Sequence, residues 1–174
     1  MRKRTMFVYV IAFAAMCSVS AFSQDSNPAQ LAPEYQKWLT EDVHWIIKSR
    51  EQNAFLKLTS DPERDQFVTQ FWERRNPHPD SNENSFKQEH YRRLAFSNEH
   101  FAAGIPGDKT DRGRIYVVFG PPDSIVKHPA KSTSRPDEIW EYRHIPGKGH
   151  NVNFKFVDRC ACGNFELDSD LPTD

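Results

Sequence analysis

Hydrophobic and polar positions divide this chain into two unlike halves. Between residues 33 and 104 apolar side chains recur at helical spacing, whereas between 113 and 168 they run in short blocks or alternate. Helices gathered first and strands afterwards point to an α+β fold, not an alternating parallel sheet. The expectation is a set of N-terminal helices packed on a three- to four-stranded antiparallel C-terminal sheet.

The helical half has clear punctuation. Pro33–Leu39 predicts a short helix. Thr40-Glu41-Asp42-Val43 reads as a fresh N-cap with acidic residues in its first turn, followed by Val43, Ile46 and Ile47 as an apolar stripe. Arg50–Leu58 carries Phe55, Leu56 and Leu58 at helical spacing. Ser60-Asp61-Pro62-Glu63 is a capping box with proline in the first turn, and the helix it opens presents Phe67, Val68, Phe71 and Trp72. That helix ends before Asn76-Pro77, because a proline disfavours helical geometry at the residue before it. A longer helix is predicted from Asn84 to Ala103, stopped by Gly104 and Pro106. Its Glu89 and Arg93 are spaced to pair.

In the second half, Arg114–Phe119 predicts a central strand, since Ile, Tyr, Val, Val and Phe make both alternating faces apolar. Gly120-Pro121-Pro122 stops it, and Lys127–Asp137 reads as polar loop. Glu138–Ile145 and Asn151–Val157 alternate around Gly147-Lys148-Gly149 and predict a β-hairpin. Asn164–Leu167 adds a short edge strand.

The N-terminus changes the picture of where this domain resides. Arg2, Lys3 and Arg4 precede an almost wholly apolar Met6–Ala21, and Ala21-Phe22-Ser23 sets small residues for cleavage after Ser23. The pattern predicts a secretory signal peptide over 1–23, with export to the periplasm or the outside. An uncleaved anchor is the alternative, although the apolar run falls short of the ~20 residues a spanning helix needs. A lipoprotein would use Cys17, which follows the bulky Met16. The formal net charge of −1 loses three cations with residues 1–23 and becomes −4. Such a chain has no basic field for nucleic acid, and no membrane span is expected after cleavage. The 13 Phe and 4 Trp argue against disorder for most of it. The expected organisation is a leader at 24–32, one domain over 33–168 and a frayed tail at 169–174.

Gly107-Asp108-Lys109-Thr110-Asp111, running on to Asp123, resembles the signature of the GWxTD domain family of bacterial envelope proteins, with Asp108 where that family has tryptophan. Trp38–Val43, Ala54–Leu56, Phe71–Arg75, Glu89–Arg93, Tyr116–Asp123 and Ile139–Arg143 are similar to further family segments. The resemblance covers most of residues 35–157. It implies an envelope domain and no particular reaction.

Arginines dominate the candidate chemistry. Arg74 and Arg75 end one helix, Arg92 and Arg93 lie along the next, and Arg112 and Arg114 flank Gly113. Arg75 projects from the apolar face and requires a partner to be buried, with Asp111, Glu89 and Glu141 as candidates. Asp111 is the expected hub, paired with Arg75. Arg74, Arg75, His90, Arg93, Asp111, Arg112 and Arg114 are therefore read either as an ion-pair network or as a binding site for a small anion. His90, on an apolar face, reads first as a hydrogen-bonded core residue. Cys160 and Cys162 are candidates for a local disulfide in an oxidising compartment. No zinc pattern, nucleophile motif or phosphate loop is present, so neither a metal nor a cofactor is expected and no catalytic residue is named. The functional expectation is a non-catalytic interaction module whose partner is another envelope protein. Trp38, Trp45 and Trp140 are its aromatic candidates, with core packing expected for at least two of them. The alternative is a small-anion-binding protein or a hydrolase-type enzyme using the Arg/Asp cluster.

Overall fold

The computed structural model describes residues 31–168. The expected signal peptide, most of the 24–32 leader and the 169–174 tail lie outside the described residues. Among the described residues, five α-helices and a four-stranded antiparallel sheet make an α+β fold.

The first helix, α1, spans Pro33–Lys37 and runs into a π-helical turn over Trp38–Asp42. No new cap forms at Thr40, because its hydroxyl donates back to the Gln36 carbonyl at 2.9 Å and the turn simply continues. Helix α2 covers Ser49–Phe55 and α3 covers Asp61–Glu73. The capping box predicted at Ser60 is present: the Ser60 amide and hydroxyl both donate to the Glu63 carboxylate, at 3.1 and 2.9 Å. Helix α4 covers Ser85–His100, and its cap residue Asn84 accepts the Lys87 amide at 2.9 Å.

The main departure from expectation is at Arg114–Phe119. This segment is not a strand. It is the body of helix α5, Asp111–Phe119. A short apolar run rich in β-branched residues has no periodicity that separates strand from buried helix. The deciding signal lies upstream. The Thr110 hydroxyl accepts the Gly113 amide at 3.1 Å, and Asp111 occupies the first turn, where a carboxylate favours helix. Gly120, at φ 85°, ends α5 in a conformation that suits glycine.

The strands are β1 (Ser124–His128), β2 (Asp137–Ile145), β3 (Gly149–Asp158) and β4 (Phe165–Leu167), ordered as a simple meander. Trp140 opposes Phe154, Tyr142 opposes Val152 and Glu138 opposes Phe156. Those residues share the face that packs against the end of α4 and against α5, in a core with Phe101, Ile115 and Tyr116. A second core joins α1, α2 and α3 through Tyr35, Trp38, Phe55, Phe71 and Trp72, with Leu31 and Ala32 packed against it. Trp38 and Trp140 are thus buried in separate clusters.

Candidate functional site

The signature turn is a junction of packed backbone. Its Gly107–Lys109 portion is a 3₁₀ turn lying against α4. A Cβ on Gly107 would overlap the Ser97 carbonyl, and one on Gly113 would overlap the Gly107 carbonyl. Both positions therefore require glycine for close approach. Thr110 donates its hydroxyl to the Gly107 carbonyl at 2.7 Å while capping α5. Asp111 accepts from Arg114 at 3.1 Å and from the Leu167 amide at 2.8 Å, tying β4 to the helix start. These bonds fix the turn to the start of α5 and to β4.

Arg75 does not reach Asp111, Glu89 or Glu141. Its guanidinium forks onto Glu51 of α2, at 2.6 and 3.0 Å, donates to the Phe71 carbonyl at 3.0 Å and lies 3.6 Å above the Phe71 ring. Arg74 adds a longer contact to Glu51 at 3.4 Å. Burial alone would raise the Glu51 pKa. The Arg75 hydrogen bonds, the Lys48 amide and the two guanidinium groups outweigh it and hold the carboxylate at about 2. Nothing in the sequence singled out Glu51, and only the packing of α2 against the end of α3 reveals it as the hub.

The remaining arginines point elsewhere. Arg93 donates to Glu89 at 2.8 Å and leans over the Val117 and Val118 carbonyls near the end of α5, where a cation is favourable. Arg112 lies between the Phe101 and Phe165 rings, donating to the Gly163 carbonyl at 3.0 Å and meeting Glu138 at 3.4 Å. Arg114 pairs with Asp111 and lies over Trp45 at 5.8 Å. The structure thus places the predicted arginines in three separate locations and does not bring them together.

His90 is a core residue. Its Nε2 lies 2.6 Å from the Asp42 carbonyl, which can only accept, so Nε2 carries the proton. Burial pushes its pKa down, opposed by that hydrogen bond. Cys160 and Cys162 are joined by a disulfide beside buried Asp158, whose carboxylate accepts the Cys162 and Gly163 amides at 3.1 and 2.8 Å.

Two features were not anticipated. One is an open cleft of about 480 Å³ between the π-helical turn, α4 and the 3₁₀ turn. Its floor includes Asp108, and its walls include Tyr91, Leu94 and Lys109. The other is β1. Expected in part as polar loop, it forms one edge of the sheet, with every residue exposed. The single sequence cue to the cleft was an acidic residue in the tryptophan position of the signature.

The GWxTD domain family model matches residues 20–168 of the chain. No curated protein and no solved structure matches it. The chain belongs to the GWxTD domain family.

Proposed function

We propose that this GWxTD domain is an exported, non-catalytic interaction module of the bacterial cell envelope. It engages an extended segment of another envelope protein along the outer edge of β1. The observation that carries this reading is the β1 edge. Among the described residues no strand pairs with its outer side, and Ile125 and Val126 are 43% and 41% exposed. An edge strand with uncovered Ile and Val is a liability unless a partner covers it. Main-chain pairing to such an edge is a common way of binding an extended peptide. Lys127, the one lysine in the strand, pairs with its cross-strand neighbour Glu138 at 3.3 Å. The arginines support the same reading. Arg75, Arg93, Arg112 and Arg114 each pair with a different carboxylate, which leaves the anion-binding and hydrolase alternatives without a convergent site.

Export rests on the basic and apolar N-terminal pattern. N-terminal sequencing of the protein recovered from the envelope fraction tests it, with Gln24 expected as the first residue. The interaction is tested by placing a photo-crosslinking amino acid at Val126 and, as control, at exposed Lys148. A discrete adduct from Val126 alone, diminished when Ile125→Lys is added, supports the reading. Equal adducts from both positions, or none, reject it.

A further inference from the structure

We infer that the cleft floored by Asp108 is a binding site for an indole ring supplied by another molecule. The position itself suggests the shape. In the family signature residue 108 is tryptophan, and here the Asp108 side chain lines the cleft. A longer side chain leaving the same Cβ enters that space. The aspartate therefore leaves open a volume that an indole would fill. At about 480 Å³ the cleft lies within the roughly 300–1,000 Å³ typical of ligand pockets.

The chemistry of the walls agrees. Tyr91, Leu94, Ala95 and Pro106 offer apolar surface for a flat ring. The Asp108 side chain is only 6% exposed, yet among the described residues its carboxylate accepts no hydrogen bond. Its nearest cation, the Lys109 ammonium at 3.5 Å, already donates to the Thr40 carbonyl at 2.5 Å. Asp42, the neighbouring acid, is satisfied by Lys37 at 2.5 Å and by the Tyr91 hydroxyl at 3.2 Å. A ligand that enters the open cleft with one N–H can donate to this carboxylate. An indole carries one N–H donor on an apolar body. Lys37 pairs with Glu41 and Asp42, and Lys109 with Asp108, so the lining charges are matched to one another and a neutral donor suits the site best.

The ring cannot come from this chain. Its four tryptophans are accounted for: Trp38, Trp72 and Trp140 are buried in the two cores, and the Trp45 indole donates to the Asp108 backbone carbonyl at 2.8 Å. The ligand is therefore a free indole compound or a tryptophan side chain of a partner.

The test titrates the purified chain with indole, with a short tryptophan-containing peptide and with n-butylguanidinium, following amide shifts by two-dimensional NMR. Saturable shifts confined to residues 37–42, 91–98 and 106–109 are expected with indole. Saturation by indole alone identifies a free compound, and saturation by the peptide as well identifies a partner's tryptophan. Asp108→Leu should weaken indole binding at least about fivefold, since the N–H is then buried unpaired. Asp108→Trp should abolish binding, with blue-shifted emission from the new tryptophan. Ala95→Met, on an exposed helix position at the rim, should weaken binding without touching the acceptor and serves if Asp108→Trp does not fold. Ile125→Lys at the β1 edge should leave the titration unchanged, so failure at one site is separable from failure at the other. No saturable shift with either indole ligand overturns the inference. So does tighter binding of n-butylguanidinium, or indole binding that survives both Asp108→Trp and Ala95→Met.

Discussion

Removing the Glu51 carboxylate should weaken the fold more than any other single change of charge in the helical half. The side chain is 15% exposed, as is Arg75, and it accepts from Arg75, Arg74 and the Lys48 amide. Its pKa falls from an ordinary 4.5 to about 2. A difference of that size between folded and unfolded states corresponds to roughly 3 kcal/mol of stability. The sign follows from the direction. A depressed carboxylate pKa contributes fully above the unfolded value and is lost as pH falls through the folded one. The contribution is therefore complete at pH 7 and falls to roughly 1–2 kcal/mol at pH 3. Glu51→Gln should cost about 2–3 kcal/mol at pH 7, because it leaves Arg75 half-buried over Phe71 with a weaker acceptor. The deficit should shrink by half or more at pH 3. Buried His90 also destabilises the fold in acid, but it does so equally in both proteins and cancels from the difference. Urea melts of the wild type, Glu51→Gln, Arg75→Met and the double variant at both pH values provide the readout. Coupling of about 2 kcal/mol at pH 7 is expected. Additive losses, or a Glu51→Gln deficit that does not change with pH, would refute the pairing.

Three further outcomes follow from the same geometry. Gly113→Ala should destabilise by about 3 kcal/mol or prevent soluble expression, because the new methyl meets the Gly107 carbonyl and neither backbone segment can yield; thermal melts measure it. Asp111→Asn should cost no more than about 1 kcal/mol, since the side chain is 35% exposed and an amide oxygen can still accept the Leu167 amide; the loss should add to that of Arg75→Met, because the two do not touch. His90 should remain neutral below its ordinary pKa of 6.5, with the proton on Nε2, and ¹⁵N-edited NMR of the imidazole nitrogens reads both the tautomer and the titration.

Much of the architecture was legible because it depends on local rules. The capping box at Ser60–Glu63, the proline after Asn76 and the hairpin around Gly147–Gly149 are written in residues that bond to their own neighbours. The segregation of helical from alternating periods was enough for the α+β class. The disulfide partners needed no long-range information either, being two residues apart. Arg114–Phe119 was misread because its side chains are apolar on every side, so the period carried no information. Its helical state is decided by the Thr110 cap and by burial between α4 and the sheet.

What tertiary structure alone decided is which charges meet and which space stays open. Charged side chains can reach several partners from a given helix, and sequence spacing does not choose among elements distant in the chain. Arg75 found Glu51 instead of Asp111 because α2 crosses the end of α3, while the signature turn is held by Asn98 and β4 elsewhere. The arginines that sequence gathers into pairs are separated by helix direction and end in three different places. The Asp108 cleft is a property of three surfaces that do not fill the space between them, and no local pattern records that space beyond the one acidic residue where the family carries an indole.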